Sequence, residues 1–171
     1  MRTHLKFAIC AITAAMLASC SARPEYSSAT NAGKQPDIWP DYKDVTIPSQ
    51  IAPMNFTLYG ISSKWQILTI KGSRGGEICC EGKHIDIDIN EWHQLTEKNK
   101  GGVLTFTLSA IAKNQRIDFE PFCMHVSSSD LDQYGITYRL VEPGYSGFGK
   151  MGIYERDLSC FDQRAIYENS N

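Results

Sequence analysis

The chain predicts an all-β fold, an antiparallel β-sandwich of immunoglobulin-like type, on three observations. Short runs rich in β-branched and aromatic residues recur from residue 56 to residue 141, turn-forming Gly, Asn, Ser and Pro separate them, and helical periodicity is nearly absent. The sandwich is expected over residues 37–145. It follows a leader over 1–19 and a flexible linker over 20–36, and a tail with short strands over 146–171 comes after it.

Residues 21–36 are small, polar and turn-prone, the composition of a spacer. Order is expected from Ile38 and Trp39 onward. Pro40, Pro48 and Pro53 cannot donate to a ladder, so this part reads as an edge strand or an extended crossing over the core. Residues 56–59 and 65–70 read as strands, and Gly72-Ser73-Arg74-Gly75-Gly76 turns the chain into a partner over 77–80. In residues 84–90 three isoleucines alternate with four polar residues, the period of a strand with one face in water. Residues 91–100 suit a short helix or loop anchored by Trp92 and Leu95. A further alternating strand over 103–109 would turn Leu104, Phe106 and Leu108 inward, and strands are expected again at 116–119, 123–126 and 135–141. After breaks at Pro143-Gly144 and Gly147-Phe148-Gly149, residues 151–158 and 165–168 read as two short strands that either dock on the sandwich or open a further unit such as a propeller, because two strands alone are not stable.

The first nineteen residues read as a secretory leader: Arg2 and Lys6 come first, a mostly apolar run from Phe7 to Leu17 follows, and then Ala18-Ser19. The run is too short for a spanning helix of about 20 residues, so no integral transmembrane helix is expected in the mature chain. The ending Leu17-Ala18-Ser19-Cys20 resembles the bacterial lipobox. That resemblance implies diacylglyceryl transfer to the Cys20 thiol, cleavage before it and acylation of the new amino terminus, as in palmitate-bearing lipoproteins of the outer membrane with a periplasmic or surface face. Two or more acyl chains anchor stably, so the membrane partner is engaged through Cys20. Removing residues 1–19 takes away two basic residues, changing 17 basic and 19 acidic residues to 15 and 19, a net charge of −4. This mild acidity without a Lys/Arg cluster argues against a nucleic-acid surface.

With Cys10 in the leader and Cys20 lipidated, Cys79, Cys80, Cys123 and Cys160 remain. An exported compartment permits disulfides, and four thiols allow three complete pairings or none. Adjacent Cys79 and Cys80 point to opposite faces of a strand, which disfavours a bond between them. No C-x-x-C, C-x-x-C-H or Cys/His zinc spacing occurs in the chain.

Several stretches together resemble the N-terminal region of TolB-like, WD-repeat β-propeller lipoproteins of Bacteroidetes. They are Pro40-Asp41-Tyr42-Lys43-Asp44-Val45-Thr46-Ile47-Pro48, Ile51-Ala52-Pro53-Met54-Asn55-Phe56, Tyr138-Arg139-Leu140-Val141-Glu142-Pro143-Gly144-Tyr145, Lys150-Met151-Gly152-Ile153-Tyr154-Glu155-Arg156-Asp157-Leu158 and Ile166-Tyr167-Glu168-Asn169. In that family a C-x-x-C-H haem-attachment segment and propeller repeats follow the last stretch. Neither occurs in this chain, so the resemblance carries over the lipid anchor, the β-domain and an accessory or protein-binding role with a propeller-like partner, and no cofactor.

The residues offer few chemical constellations. His84, Asp86 and Asp88 share one strand face and have the right ligand types for a metal, yet a solvated strand face gives the same pattern. Ser127-Ser128-Ser129 with Asp130 and Asp132 hints at a calcium loop but lacks its full spacing. Cys123 and His125 lie on one side of a strand without a third partner in the pattern, so no catalytic residue and no metal ligand is assigned. Trp65 and Trp92 suit the core. Trp39, Tyr145 and Phe148 sit in Pro/Gly-rich segments and are the candidate ligand-contact residues. The resemblance thus implies a non-enzymatic accessory or protein-binding lipoprotein, and the aromatics offer a cell-surface carbohydrate- or ligand-binding lipoprotein as the alternative.

Overall fold

Alternating apolar residues make β7 (Val103–Ala112) the natural centre of a sheet, because its inward set Leu104, Phe106, Leu108 and Ala110 is fully buried. The computed structural model of the chain describes residues 23–141 and 151–169. Along one side β7 pairs antiparallel with β5 (Trp65–Gly72) over eight positions, and β5 pairs with β6 (Glu77–Gly82) through the predicted glycine turn. Its other side is shared end to end by β8 (Gln115–Asp118) and β9 (Phe122–Val126). Two short edge strands complete the sheet, β1 (Ser28–Asn31) beside β8 and β3 (Thr46–Ile47) beside β9.

The architecture is all-β and sandwich-like, with a single short helix among the described residues. Most ladders are antiparallel, and the two edge pairings β1–β8 and β3–β9 are parallel. Against the inner face of the sheet lie helix α1 (Ile89–Lys98), the two-residue ladder of β2 (Ile38–Trp39) with β4 (Thr57–Leu58), and extended segments between them. Phe106 and Phe122 stack at 4.8 Å, Phe56 meets Phe122 edge-on at 5.9 Å, and Trp92 leans on Phe106 at 6.4 Å. No helix among the described residues is long and apolar enough to cross a membrane.

Three segments depart from the sequence expectation. Residues 84–88 keep the alternation, with Ile85 and Ile87 buried and His84, Asp86 and Asp88 exposed, but they join no ladder. Instead Ile87 N–H donates to the Asn55 side chain at 3.1 Å, and the Asp88 carboxylate accepts from Asn90 and Glu91 N–H at 2.9 and 3.0 Å, capping α1. Within the expected spacer, Ser28–Asn31 forms β1, held by backbone bonds with all four residues exposed, so apolar patterning gave no sign of it. The third departure is β10 (Gly135–Val141), which pairs with β11 (Met151–Asp157) rather than with the main sheet. With β12 (Gln163–Glu168) these form a separate three-stranded antiparallel sheet, so the two tail strands dock on a third. Ala52 N–H donates to Leu158 C=O at 2.8 Å and the Tyr134 hydroxyl donates to Ser49 C=O at 2.7 Å, which ties this sheet to the body.

Asn99, fully buried at the end of α1, joins helix to hairpin. Its amide donates to Gly75 C=O at 3.0 Å and Leu95 C=O at 2.8 Å, and its carbonyl accepts from Arg74 N–H at 2.7 Å. A Cβ at Gly72 would lie 2.1 Å from that amide nitrogen, so the clamp requires glycine there. Asn99→Ala leaves Gly75 C=O and Arg74 N–H without their partner, while Leu95 C=O keeps the backbone N–H of residue 99 at 3.1 Å. We expect a loss of about 2–4 kcal/mol in urea denaturation, against about 1 kcal/mol for the cap variant Asp88→Ala; equal losses would refute the clamp.

Candidate functional site

Strand register decides which apolar residues of the C-terminal sheet face outward. Arg139, Ile153 and Tyr167 stand opposite one another and therefore share one face, as do Tyr138, Tyr154 and Ala165 on the other. On the first face Ile153 and Tyr167 are 42% and 63% exposed. With Met151 and Asn169 they line a shallow depression of about 320 Å³ whose rim includes Arg139. The second face is partly satisfied internally. Tyr138 and Tyr154 stack at 5.9 Å, and the Tyr154 hydroxyl donates to Glu168 at 2.5 Å. Ile136 and Leu140 nevertheless remain exposed there, and Phe161 and Ile166 are exposed nearby in sequence. Six of the ten exposed large apolar residues among those described thus belong to residues 135–169. They are divided between the two faces of the sheet, and Ile153 and Tyr167 are the pair that the strand register sets side by side.

Of the ligand-contact residues predicted from sequence, Trp39 is 65% exposed, while Tyr145 and Phe148 lie outside the described residues, as does Cys20. The exposure of Trp39 follows from its ladder: Ile38 and Leu58 pair inward, and Trp39 and Thr57 pair outward. Trp39 borders a cleft of about 290 Å³ whose other walls include Asn55, Phe56, Gln66 and His84. Trp92 is fully buried as expected and donates from Nε1 to Ile51 C=O at 2.9 Å, whereas Trp65 is half-buried.

The remaining candidates are held in ordinary interactions. Asp86 accepts from the Asn55 amide at 3.4 Å, and Asp88 is the helix cap. Asp130 accepts from Ser49 Oγ at 2.8 Å and Lys100 Nζ at 3.0 Å, so the serine-aspartate stretch is tied to the body. Those two hydrogen bonds, Ser49's first, hold the Asp130 carboxyl below its usual range. Cys123 touches Thr105 Oγ1 at 3.9 Å and His125 is exposed on the same side of β9. No group of three potential metal ligands occurs among the described residues. A polar cluster that sequence did not single out joins Ser109, Asp118 and Arg116. Ser109 Oγ donates to Asp118 at 2.6 Å, and Arg116 Nε donates to the same carboxylate at 2.7 Å in an ion pair without an imidazole. Burial pushes the Asp118 carboxyl up, but the Ser109 bond and the Arg116 charge outweigh it and the net shift is downward.

All four described cysteines are free thiols. Burial, then the neighbouring Cys79, pushes the Cys80 thiol up to about 11. Near pH 8 its thiolate fraction is then about one in a thousand. Iodoacetamide is expected to label exposed Cys79 first, and Cys80 slowly until the pH approaches 11, as peptide mass mapping across a pH series would show; equal labelling at pH 8 would contradict the assignment. In comparisons with protein-family models, curated proteins and solved structures, nothing matches this chain.

Proposed function

We propose that this protein is a non-enzymatic lipoprotein of the bacterial cell envelope, anchored to the outer membrane through Cys20, whose β-domain binds a protein partner through its C-terminal sheet. The observation that carries this reading is the outward face with exposed Ile153 and Tyr167. A three-stranded sheet with aliphatic and aromatic side chains in water gains free energy when a partner removes them from solvent, about 25 cal/mol per Å² of apolar surface. Arg139 at the rim adds a donor fork for an acceptor on the partner. The partner chemistry the resemblance suggests is a β-propeller domain, for which this domain serves as the accessory module. An exposed Trp39 beside a cleft favours the second reading, a ligand-binding surface lipoprotein.

Two experiments check the main reading. Cys20→Ala is expected to leave unprocessed precursor in the membrane fraction, and normal maturation of that variant would sink the anchor. For the partner, a photo-crosslinking amino acid at position 167 in intact cells is expected to give an adduct with a β-propeller-containing envelope protein, reduced at least about tenfold by Ile153→Lys. A crosslinker at exposed Tyr26 serves as the control. An adduct that is the same from both positions, or that ignores Ile153→Lys, would show that the sheet is not the docking face.

A further inference from the structure

Strand β5 sends every second residue into the core, and the inward set is Gln66, Leu68 and Ile70. Glutamine is the wrong residue for such a position on packing grounds alone, because its amide must be satisfied or it destabilises the fold. Only half of it is satisfied. Gln66 Nε2 donates to Lys83 C=O at 3.0 Å, which fixes the amide orientation, while Oε1 is shielded from bulk water and has no donor. The residue is 6% exposed, and it lines the cleft beside Trp39.

We propose that this cleft is a saccharide-binding site, in which the Trp39 indole stacks on the apolar C–H face of a sugar ring and Gln66 Oε1 accepts a hydroxyl hydrogen. Three properties point to that ligand class. An indole 65% exposed offers a flat, electron-rich face, the surface on which the slightly positive C–H groups of a pyranose pack. Next, the polar wall groups are the side-chain amides of Asn55 and Gln66, the Thr57 hydroxyl and the His84 imidazole. Asn55 uses its carbonyl for Ile87 N–H and one amide hydrogen for Asp86, leaving the second amide hydrogen for a ligand, and Thr57 faces outward. A donor and an acceptor side by side suit sugar hydroxyls, each of which donates and accepts. Finally, no Lys, Arg, Asp or Glu lines the cleft, so His84 is the one wall residue able to pair with a phosphate or a carboxylate, and no Arg fork or Lys is there to hold one. The volume of about 290 Å³ accommodates one or two sugar units at the lower end of the ligand-pocket range.

The proposal is independent of the C-terminal sheet, since neither Ile153 nor Tyr167 borders the cleft. Its test uses the mature lipoprotein in a detergent without a sugar headgroup, with tryptophan fluorescence and calorimetry as readouts. The probes are maltohexaose and cellohexaose, neutral glucans of opposite linkage, and end-blocked penta-alanine as an uncharged peptide. Saturable binding of at least one glucan is expected, with no response to the peptide. Trp39→Ala, at a surface position, is expected to weaken binding about tenfold or more by calorimetry, with an unchanged melting temperature. Gln66→Met removes the unpaired acceptor together with the donor to Lys83 C=O at similar volume, so it is expected to weaken glucan binding while the protein still melts cooperatively. Absence of saturable binding by both glucans, binding of the peptide alone, or unchanged affinity in both variants would overturn the proposal.

Discussion

Burial of one face of β7 is the constraint on which the rest of the fold depends. Its fully buried side chains need a cover, and α1 supplies much of it through Trp92 and Leu95. A ten-residue helix is marginal on its own, so its position has to be fixed from outside. Asp88 fixes the start by capping. Asn99 fixes the end by gripping the β5–β6 turn, and Gly102 N–H returns to Asn99 C=O at 2.8 Å just before β7 begins. One buried residue therefore links the helix and the hairpin through its side chain and the entry to the central strand through its backbone carbonyl.

The two candidate surfaces arise from one circumstance, which is that a short ladder covers only one of its faces. In β2–β4 the inward pair Ile38 and Leu58 joins the core and the outward pair Trp39 and Thr57 is left in water. In the C-terminal sheet the Tyr138–Tyr154 stack occupies one face, and Ile153 and Tyr167 are left on the other. Alternation thus places aromatic and aliphatic groups at the surface in both places by the same geometry that buries their neighbours. They differ in chemistry. The cleft beside Trp39 is lined by amides, a hydroxyl and an imidazole, and the sheet face is apolar with a cationic rim.

Much of the strand layout was legible, because period-2 alternation reports burial directly. Leu104, Phe106 and Leu108 are inward as their spacing requires, and the tail strands lie where their β-branched and aromatic residues put them. Residues 84–88 show the limit of that signal. Ile85 and Ile87 are buried alternately, yet side chains of Asn55 and Asp88 take the backbone groups that a ladder would have used. Alternation states which side chains are covered and not what the backbone bonds to. The strand β1 was hidden for the opposite reason, since Ser28–Asn31 buries no side chain and is held through its backbone.

The sequence by itself determined the all-β class and the inward residues of β7, because each is written in local order or composition. Tertiary structure decided the remainder: the pairing of β10 with β11, the grip of Asn99 on the hairpin, and the placing of Gln66 with an unpaired oxygen beside Trp39. These depend on which distant backbone and side-chain groups meet. Gln66 and Trp39 are 27 positions apart, Asn99 and Gly75 are 24 apart, and no local period encodes such a meeting. Trp39 was the trace of the cleft singled out in the chain, and only the fold sets beside it the inward glutamine of β5 whose carbonyl has no partner.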